Sequence, residues 1–327
     1  MLKNKPLFIL APMDEVTDTC FRQIVASCYK PDICFSEFVN VDGLNSPGRS
    51  RLMYKLYKSE QETNLIAHIW GLNPDNFYKT ASQIVNGDIQ HELPGSGNYS
   101  GIDLNMGCPA RKVVKSGACS GLINNPNLAV EIIKATKKGS QNKLPISVKT
   151  RLGMDQISQD WISLLLKQNL DMLSIHLRTV KEMSNVPAHY PELKWIVDLR
   201  NKLSPKTKII ANGDIDSYVL AKELIDKYSI DGVMIGRGVF NDPYVFDPNS
   251  PWLNKSSLEK VKLFIRHLEL YKDWLELSHA HTVTRMHKFA KVYITGFDQA
   301  KSIREELTKD STILDMIATC KKCLKTI

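Results

Sequence analysis

Residues 208–238 read KIIANGDIDSYVLAKELIDKYSIDGVMIGRG. A β-branched run at 208–215 gives way to a segment at 217–227 in which Val219, Leu220, Leu224 and Ile225 recur at helical spacing. A second β-branched run follows at 232–238. Strand, helix and strand in about thirty residues make one βα unit of a parallel sheet. Both runs end in glycine-bearing turns, Asn212-Gly213-Asp214 and Gly236-Arg237-Gly238.

The same alternation extends back to the start of the chain. Candidate strands fall at 7–13, 33–39, 65–71, 101–107, 145–153, 172–179, 208–215 and 232–238, with helical candidates between them such as 126–138. Eight units, with no glycine-rich dinucleotide fingerprint after the first strand, favour an α/β fold closed as a (β/α)8 TIM barrel over 1–247. The competing arrangement is a doubly wound open sheet. The Gly/Ser-rich segment 91–100 precedes a strand, so it is expected to be a connection on the bottom face. After the linker DPYVFDPNSPW (242–252), residues 253–327 read as a small helical bundle. Ser256 or Ser257 is placed to cap a helix with Leu258, Val261, Ile265, Leu268, Tyr271 and Leu275 on one side. A second helix is expected over 281–296, with Val283, Met286, Ala290 and Tyr293 on one face and Arg285, Lys288 and Lys291 on another.

Composition narrows the class. With 327 residues, 43% hydrophobic and 24% charged, the chain is neither disordered, collagen-like nor coiled-coil. Its longest apolar runs are far short of the roughly 20 residues that span a bilayer, so no membrane association is expected. The N-terminal MLKNKPLFILAPMDE reads as a strand rather than an export signal. Seven irregularly spaced cysteines point to a reducing compartment, the cytoplasm. The net charge is +8, and residues 250–327 hold 14 Lys and Arg against 9 Asp and Glu, so the tail is the better candidate for an anionic partner.

In a barrel, chemistry is carried where strands reach the C-terminal face. Glycines after the seventh and eighth predicted strands, with Arg237 beside one, suit an anion: bare N–H groups close on it and a guanidinium forks it. Either glycine alone would be read as a tight turn; the pair favours the anion site. Cys108, in Asn-Met-Gly-Cys-Pro, sits where a strand runs into a turn, whereas Cys20, Cys28 and Cys34 read as small buried hydrophobes. Cys320 and Cys323 have CxxC spacing without a second pair, so no metal is expected.

Six stretches, APM near the start, LNMGCPARKVVKSGA (104–118), SVKTRLG (147–153), IHLRT (175–179), IIANGDI (209–215) and GVMIGRG (232–238), occur in the order and at the spacing of the FMN-dependent tRNA dihydrouridine synthases, which the chain resembles. The likeness extends more weakly through RMHKFAKVYITG (285–296). It implies that Pro12 and Met13 pack beside the flavin, that Lys149 faces its pyrimidine edge and that His176 contacts it. It also implies that Asn212, Gly213, Gly236 and Arg237 hold the phosphate, with Asp214 also on the cofactor. Asn105 would position the target uracil, with Arg178, Lys115 and Ser116 also on the substrate, and Cys108 would be the proton donor. His68 stands where the family often has a flavin-binding Gln, and an imidazole cannot both donate and accept there as an amide can. Cys119 replaces a small glycine or alanine.

The implied reaction reduces the uracil C5–C6 double bond with hydride from FMN, replenished by NADPH or NADH, and a proton from a Cys108 thiol of ordinary pKa. The substrate would be an unpaired tRNA D-loop, gripped by Arg285, Lys288 and Lys291, and the protein a monomer. Two alternatives are a small-molecule FMN barrel of the dihydroorotate dehydrogenase type, against which the basic tail argues, and a synthase acting on ribosomal RNA.

Overall fold

The computed structural model describes residues 5–62, 64–93, 95–278 and 282–327. Among them, nine parallel strands form one sheet: β1 (Leu7–Leu10), β2 (Cys34–Phe35), β3 (Val39–Asn40), β4 (Leu65–Trp70), β5 (Gly101–Met106), β6 (Ile146–Arg151), β7 (Met172–His176), β8 (Lys208–Asn212) and β9 (Gly232–Ile235). The order is β1-β9-β8-β7-β6-β5-β4-β2, with β3 also on β4. The two ends meet, because Leu10 N donates to Ile33 O at 3.0 Å and Asp32 N donates to Phe8 O at 2.9 Å. The result is the expected (β/α)8 barrel, in which the seventh and eighth predicted strands are β8 and β9.

The strand expected at 33–39 is interrupted. The Ser36 hydroxyl accepts the His68 backbone N–H at 2.9 Å and donates to Glu37 O at 3.0 Å, replacing ladder bonds between β2 and β3. Elsewhere the helices begin where the sequence supplies caps: Asn73 before Pro74–Asn86, Asn125 before Pro126–Ser140 and Ser217 before Tyr218–Tyr228. In the last of these Val219 is 63% exposed, contrary to the expected face, and Ala221 is buried in its place beside Leu224 and Ile225. At the N-terminal face, Asp32, Asp171 and Asp231 each accept an amide from the first two residues of a strand, Phe8, Ile146 and Ile209, at 2.8–2.9 Å.

Side chains alternate in and out along each strand, and parallel register carries one facing to the next strand. Leu7, Ile9, Ala11, Phe35, Ile66, Met172, Ile210 and Met234 form the apolar cluster inside the barrel. His68 lies two residues beyond Ile66, and Ser147 is registered with Met172, so both point inward. Asp103, registered with His68 and with Ser147, points the same way, as do Asn105, Lys149 and Ser174. The barrel interior is therefore polar along β4–β7 and apolar along β9, β1 and β2.

The region after residue 252 is helical, as expected. Ser256 accepts the Glu259 N–H and Glu259 accepts that of Ser256, a reciprocal cap at the start of the helix Ser257–Ser278. That helix buries Val261, Phe264, Leu268 and Tyr271. The helix expected over 281–296 does not form as one piece. His281 lies outside the described residues, and the rest makes two single turns, Thr284–His287 and Ala290–Tyr293. The break lets Phe289 turn inward and stack on Phe21 at 5.1 Å, joining this region to the barrel's outer core. No helix among the described residues is long and apolar enough to cross a membrane.

Arg285 is not on a free basic face. Its guanidinium lies over the Tyr54 ring, donates to the Tyr54 hydroxyl at 3.2 Å, and stands 3.6 Å from Glu15 and 3.7 Å from the buried Glu37. Burial, as the main cause, pushes the Glu37 carboxyl up to about 7, and Arg285 opposes that rise. Lys288 is exposed but spends its ammonium on the Glu15 carbonyl, whereas Lys291 is exposed on the surface. Arg285→Ala should therefore cost about 2 kcal/mol by removing a cation from beside the buried Glu37, which keeps the Glu15 N–H, and Lys291→Ala should stay within about 0.5 kcal/mol. Urea unfolding of the two variants at neutral pH checks the contrast.

Candidate functional site

Pro12, Met13, Lys149, His176, Gly236 and Arg237 line a cavity of about 610 Å³ at the C-terminal ends of the strands. Gly213 has φ +119°, and a Cβ there would stand 2.8 Å from the His176 ring, so only glycine fits. At Gly236 the reason differs: a Cβ would meet nothing nearer than Ala11 at 3.6 Å and Met13 at 3.8 Å, and would project into the cavity. A bare backbone facing open space, with Arg237 66% exposed and held, among the described residues, only by a 3.4 Å contact to Asp214, suits the phosphate of a group such as FMN. A larger cavity of about 910 Å³ opens at the N-terminal face. Three of its polar groups are committed to the fold: Lys137 donates to two backbone carbonyls, and Asp32 and Asp171 accept strand amides.

Two of the expected contacts are corrected here. The Asp214 carboxylate accepts from Arg178 and from Ala188 N at 3.1 Å, so it faces cations and amides of the protein and is unsuited to a phosphate. Arg178 is 1% exposed and donates to Asp214, Val186 O and His176 Nε2, which holds it within the protein rather than toward a substrate. It serves His176 instead. Burial first, then Arg151 and Lys149, push the His176 imidazole far below its ordinary range, so it stays neutral. With Nε2 accepting from Arg178 at 3.0 Å, the proton resides on Nδ1. Asn212 donates to Met234 O at 2.8 Å, which orients its amide at the cavity wall.

Across the mouth stands the polar wall. Lys149 makes no hydrogen bond or ion pair among the described residues, and burial, followed by Arg151, draws its ammonium down to about 8. On β5, Asn105 accepts from Gly107 N and Cys108 N through Oδ1, while its buried Nδ2 has no partner. Cys108 is half-buried just beyond. Lys115 and Ser116, exposed, close the single helical turn Arg111–Lys115 beside it.

The Cys108 thiol is not of ordinary pKa. A hydrogen bond from Cys119 is the main cause that draws it down to about 6, with the Ala110 N–H and Lys149 adding to the effect and burial opposing it. Cys119 is correspondingly pushed well above its usual value. Cys119 thus has a partner the sequence did not suggest, held at φ +51° by the turn after Gly117. Beneath Lys149, His68 Nδ1 lies 2.7 Å from Asp103, whose other oxygen accepts from Ser147 at 2.5 Å. Sequence reading missed Asp103 and Ser147, because their meeting depends on register between strands: Asp103 is registered with His68, and Ser147 with Asp103.

The family model of dihydrouridine synthases matches residues 9–327. The probable tRNA-dihydrouridine synthase of Staphylococcus aureus (strain COL) is 40% identical over 314 residues, covering 95% of this chain and 91% of that protein. The probable tRNA-dihydrouridine synthase 2 of Bacillus subtilis (strain 168) is 38% identical over 305 residues, covering 92% and 89%. Among solved structures, histamine dehydrogenase from Rhizobium sp. 4-9 superposes with a TM-score of 0.50 at 11% identity, over 80% of this chain and 48% of that one, a likeness of fold.

A half-buried Lys149 with no partner among the described residues costs stability. Its folded pKa lies near 8 against an ordinary 10.5, so the unfolded chain binds more protons and stability rises with pH through that window. Lys149→Met should stabilise the protein at pH 7 by up to about 3 kcal/mol, with the gain fading between about pH 8 and 10.5. Denaturant titrations at several pH values test this.

Proposed function

The chain belongs to the dihydrouridine synthase family, and on that footing we propose that it reduces the C5–C6 double bond of uridines in tRNA. The observation that carries the reading is the division of one barrel mouth: an anion cradle at Gly213, Gly236 and Arg237 faces a polar wall that ends in the Cys108 thiol. FMN, when bound, supplies the hydride for C6 and is recharged by a nicotinamide nucleotide, NADPH.

Each residue then has a task. Arg237 and the amides of Gly213 and Gly236 bind the phosphate, and Pro12 and Met13 pack beside the ring system. His176, neutral, donates its Nδ1–H, and Lys149 neutralises negative charge at the pyrimidine edge. The unspent Nδ2 of Asn105 donates to the target uracil, and Cys108 delivers the proton to C5. Above about pH 6 the Cys108–Cys119 pair retains one proton, which must stand on Cys108 when C5 is protonated.

The barrel, 1–247, forms the catalytic part of a cytoplasmic monomer, and 253–327 contributes to tRNA binding at an unpaired D-loop. Arg285 supports that surface from beneath, and Lys291 presents charge outward together with the exposed Arg111, Lys112 and Lys115 at the mouth. Each neutralised phosphate contact should lower the slope of log affinity against log salt by roughly 0.7 to 0.9.

The purified protein should carry oxidised-flavin absorbance, and Arg237→Ala should lose FMN on dialysis. A colourless protein that FMN cannot reconstitute would sink the proposal. Cys108→Ala should leave flavin reduction by NADPH largely intact while dihydrouridine formation, followed by nucleoside mass spectrometry, falls severely. Cys119→Ala removes the S–H donor and returns Cys108 toward its ordinary 9.0, so the high-pH limb of the reductive half-reaction on tRNA should move upward from about 6. An unmoved limb would separate Cys119 from the acid.

A further inference from the structure

Cys108 and Cys119 are brought together by a short excursion of the chain. Beyond β5 the backbone makes the helical turn Arg111–Lys115 and then folds back, with Gly117 N donating to Val114 O at 2.9 Å and Ala118 N to Val113 O at 3.1 Å. Ser120 Oγ donates to Cys108 O at 2.7 Å, which ties the returning segment to the residue it left. Across this loop the Cys119 thiol hydrogen-bonds the Cys108 sulfur. Both thiols are free. Cys119 is 2% exposed and Cys108 is half-buried at the barrel mouth, so a small solute meets Cys108 first.

The backbone adds an independent sign. Cys119 has φ +51°, in the left-handed region where glycine is the relaxed choice, yet the chain carries a thiol there. The other five cysteines are of a different kind. Burial pushes the thiols of Cys20, Cys28, Cys34, Cys320 and Cys323 up and keeps them protonated. Cys108, drawn down by the Cys119 S–H, is the nucleophilic thiolate of the seven near neutral pH. An accessible thiolate backed by a second thiol is the arrangement in which oxidation stops at a disulfide.

We propose that Cys108 and Cys119 form a peroxide-reactive pair that closes reversibly into a disulfide, a modification that takes the proton donor out of the site. The Cys108 sulfur attacks one peroxide oxygen: the O–O bond breaks, an S–O bond forms, and the hydroxide that leaves takes a proton from solvent. Cys108, now a sulfenic acid, has given two electrons to the peroxide. The Cys119 sulfur then attacks the Cys108 sulfur, its proton leaving with the departing hydroxide as water, and an S–S bond replaces the S–O bond. One peroxide is consumed per disulfide, and a dithiol reverses the closure by exchange. The effect on dihydrouridine formation rests on the reading of Cys108 as proton donor, whereas the disulfide itself does not.

The test treats the full-length holoprotein with hydrogen peroxide, blocks the remaining thiols with iodoacetamide and digests with trypsin. Cleavage after Lys79, Arg111, Lys115 and Lys134 puts the two cysteines on separate peptides, 80–111 and 116–134, neither of which holds another cysteine. The expected product is these two peptides joined, lighter than their sum by two hydrogens and separated again by dithiothreitol. Dihydrouridine formation should fall at least about tenfold, with flavin reduction by NADPH retained, and should return on reduction. In Cys119→Ser the same treatment should carry Cys108 on to the sulfinic acid, with recovery at least about fivefold poorer than in the wild type. Cys119→Gly, which suits the left-handed turn, supplies the same comparison if Cys119→Ser does not fold. Absence of the joined peptides in the wild type, or equal recovery in wild type and variant, would overturn the pair. Joined peptides with unchanged dihydrouridine formation would overturn the loss of function and the acid assignment together. A wild type that forms no dihydrouridine before treatment removes the functional reading alone, and the joined peptides still decide the pair.

Discussion

Inward side chains of adjacent parallel strands fall level with one another, and every group at the barrel mouth depends on that constraint. Because β4, β5, β6 and β7 are in register, His68, Asp103 and Ser147 form one row and Asn105, Lys149 and Ser174 the next. A charge placed in the deeper row, where Asp103 is fully buried, is shut off from water and must be answered by its lateral neighbours. Asp103 is answered by Ser147 and His68, whereas Lys149 has no such answer and remains available. The apolar half of the interior, from β9 through β1 to Phe35, supplies burial that offsets the cost of the polar half.

The same logic separates residues that serve a ligand from residues that serve the residues touching it. Arg178 looks like a substrate-binding cation when counted along a strand end, but buried between Asp214 and His176 it sets a tautomer. Arg285 belongs to a predicted basic face, yet its charge is turned inward to Glu37 and Tyr54 and ties the helical region to the rim of the barrel. In both cases a carboxylate claims the guanidinium, since an unpaired buried charge costs more than an exposed cation gains at the surface. Cys108 follows a parallel pattern with a weaker donor, the thiol of Cys119 across a tight turn.

The amino-acid sequence by itself determined the alternation of strands and helices, the closure into a barrel, the glycines at the ends of the last two strands and the position of Cys108 at a strand end. These follow from local spacing and from backbone demands such as the positive φ of Gly213. Only the tertiary structure decided that residues 36–38 leave the ladder, that 281–296 breaks at Phe289, that Val219 faces out and that Asp214, Arg178 and Arg285 are spent within the protein. The physical reason is that partnership is a distance between strands or helices far apart in the chain: Glu37 lies 248 positions from Arg285, and Asp103 lies 35 from His68. Period and composition report which way a side chain points, and what it meets there is set by register and packing.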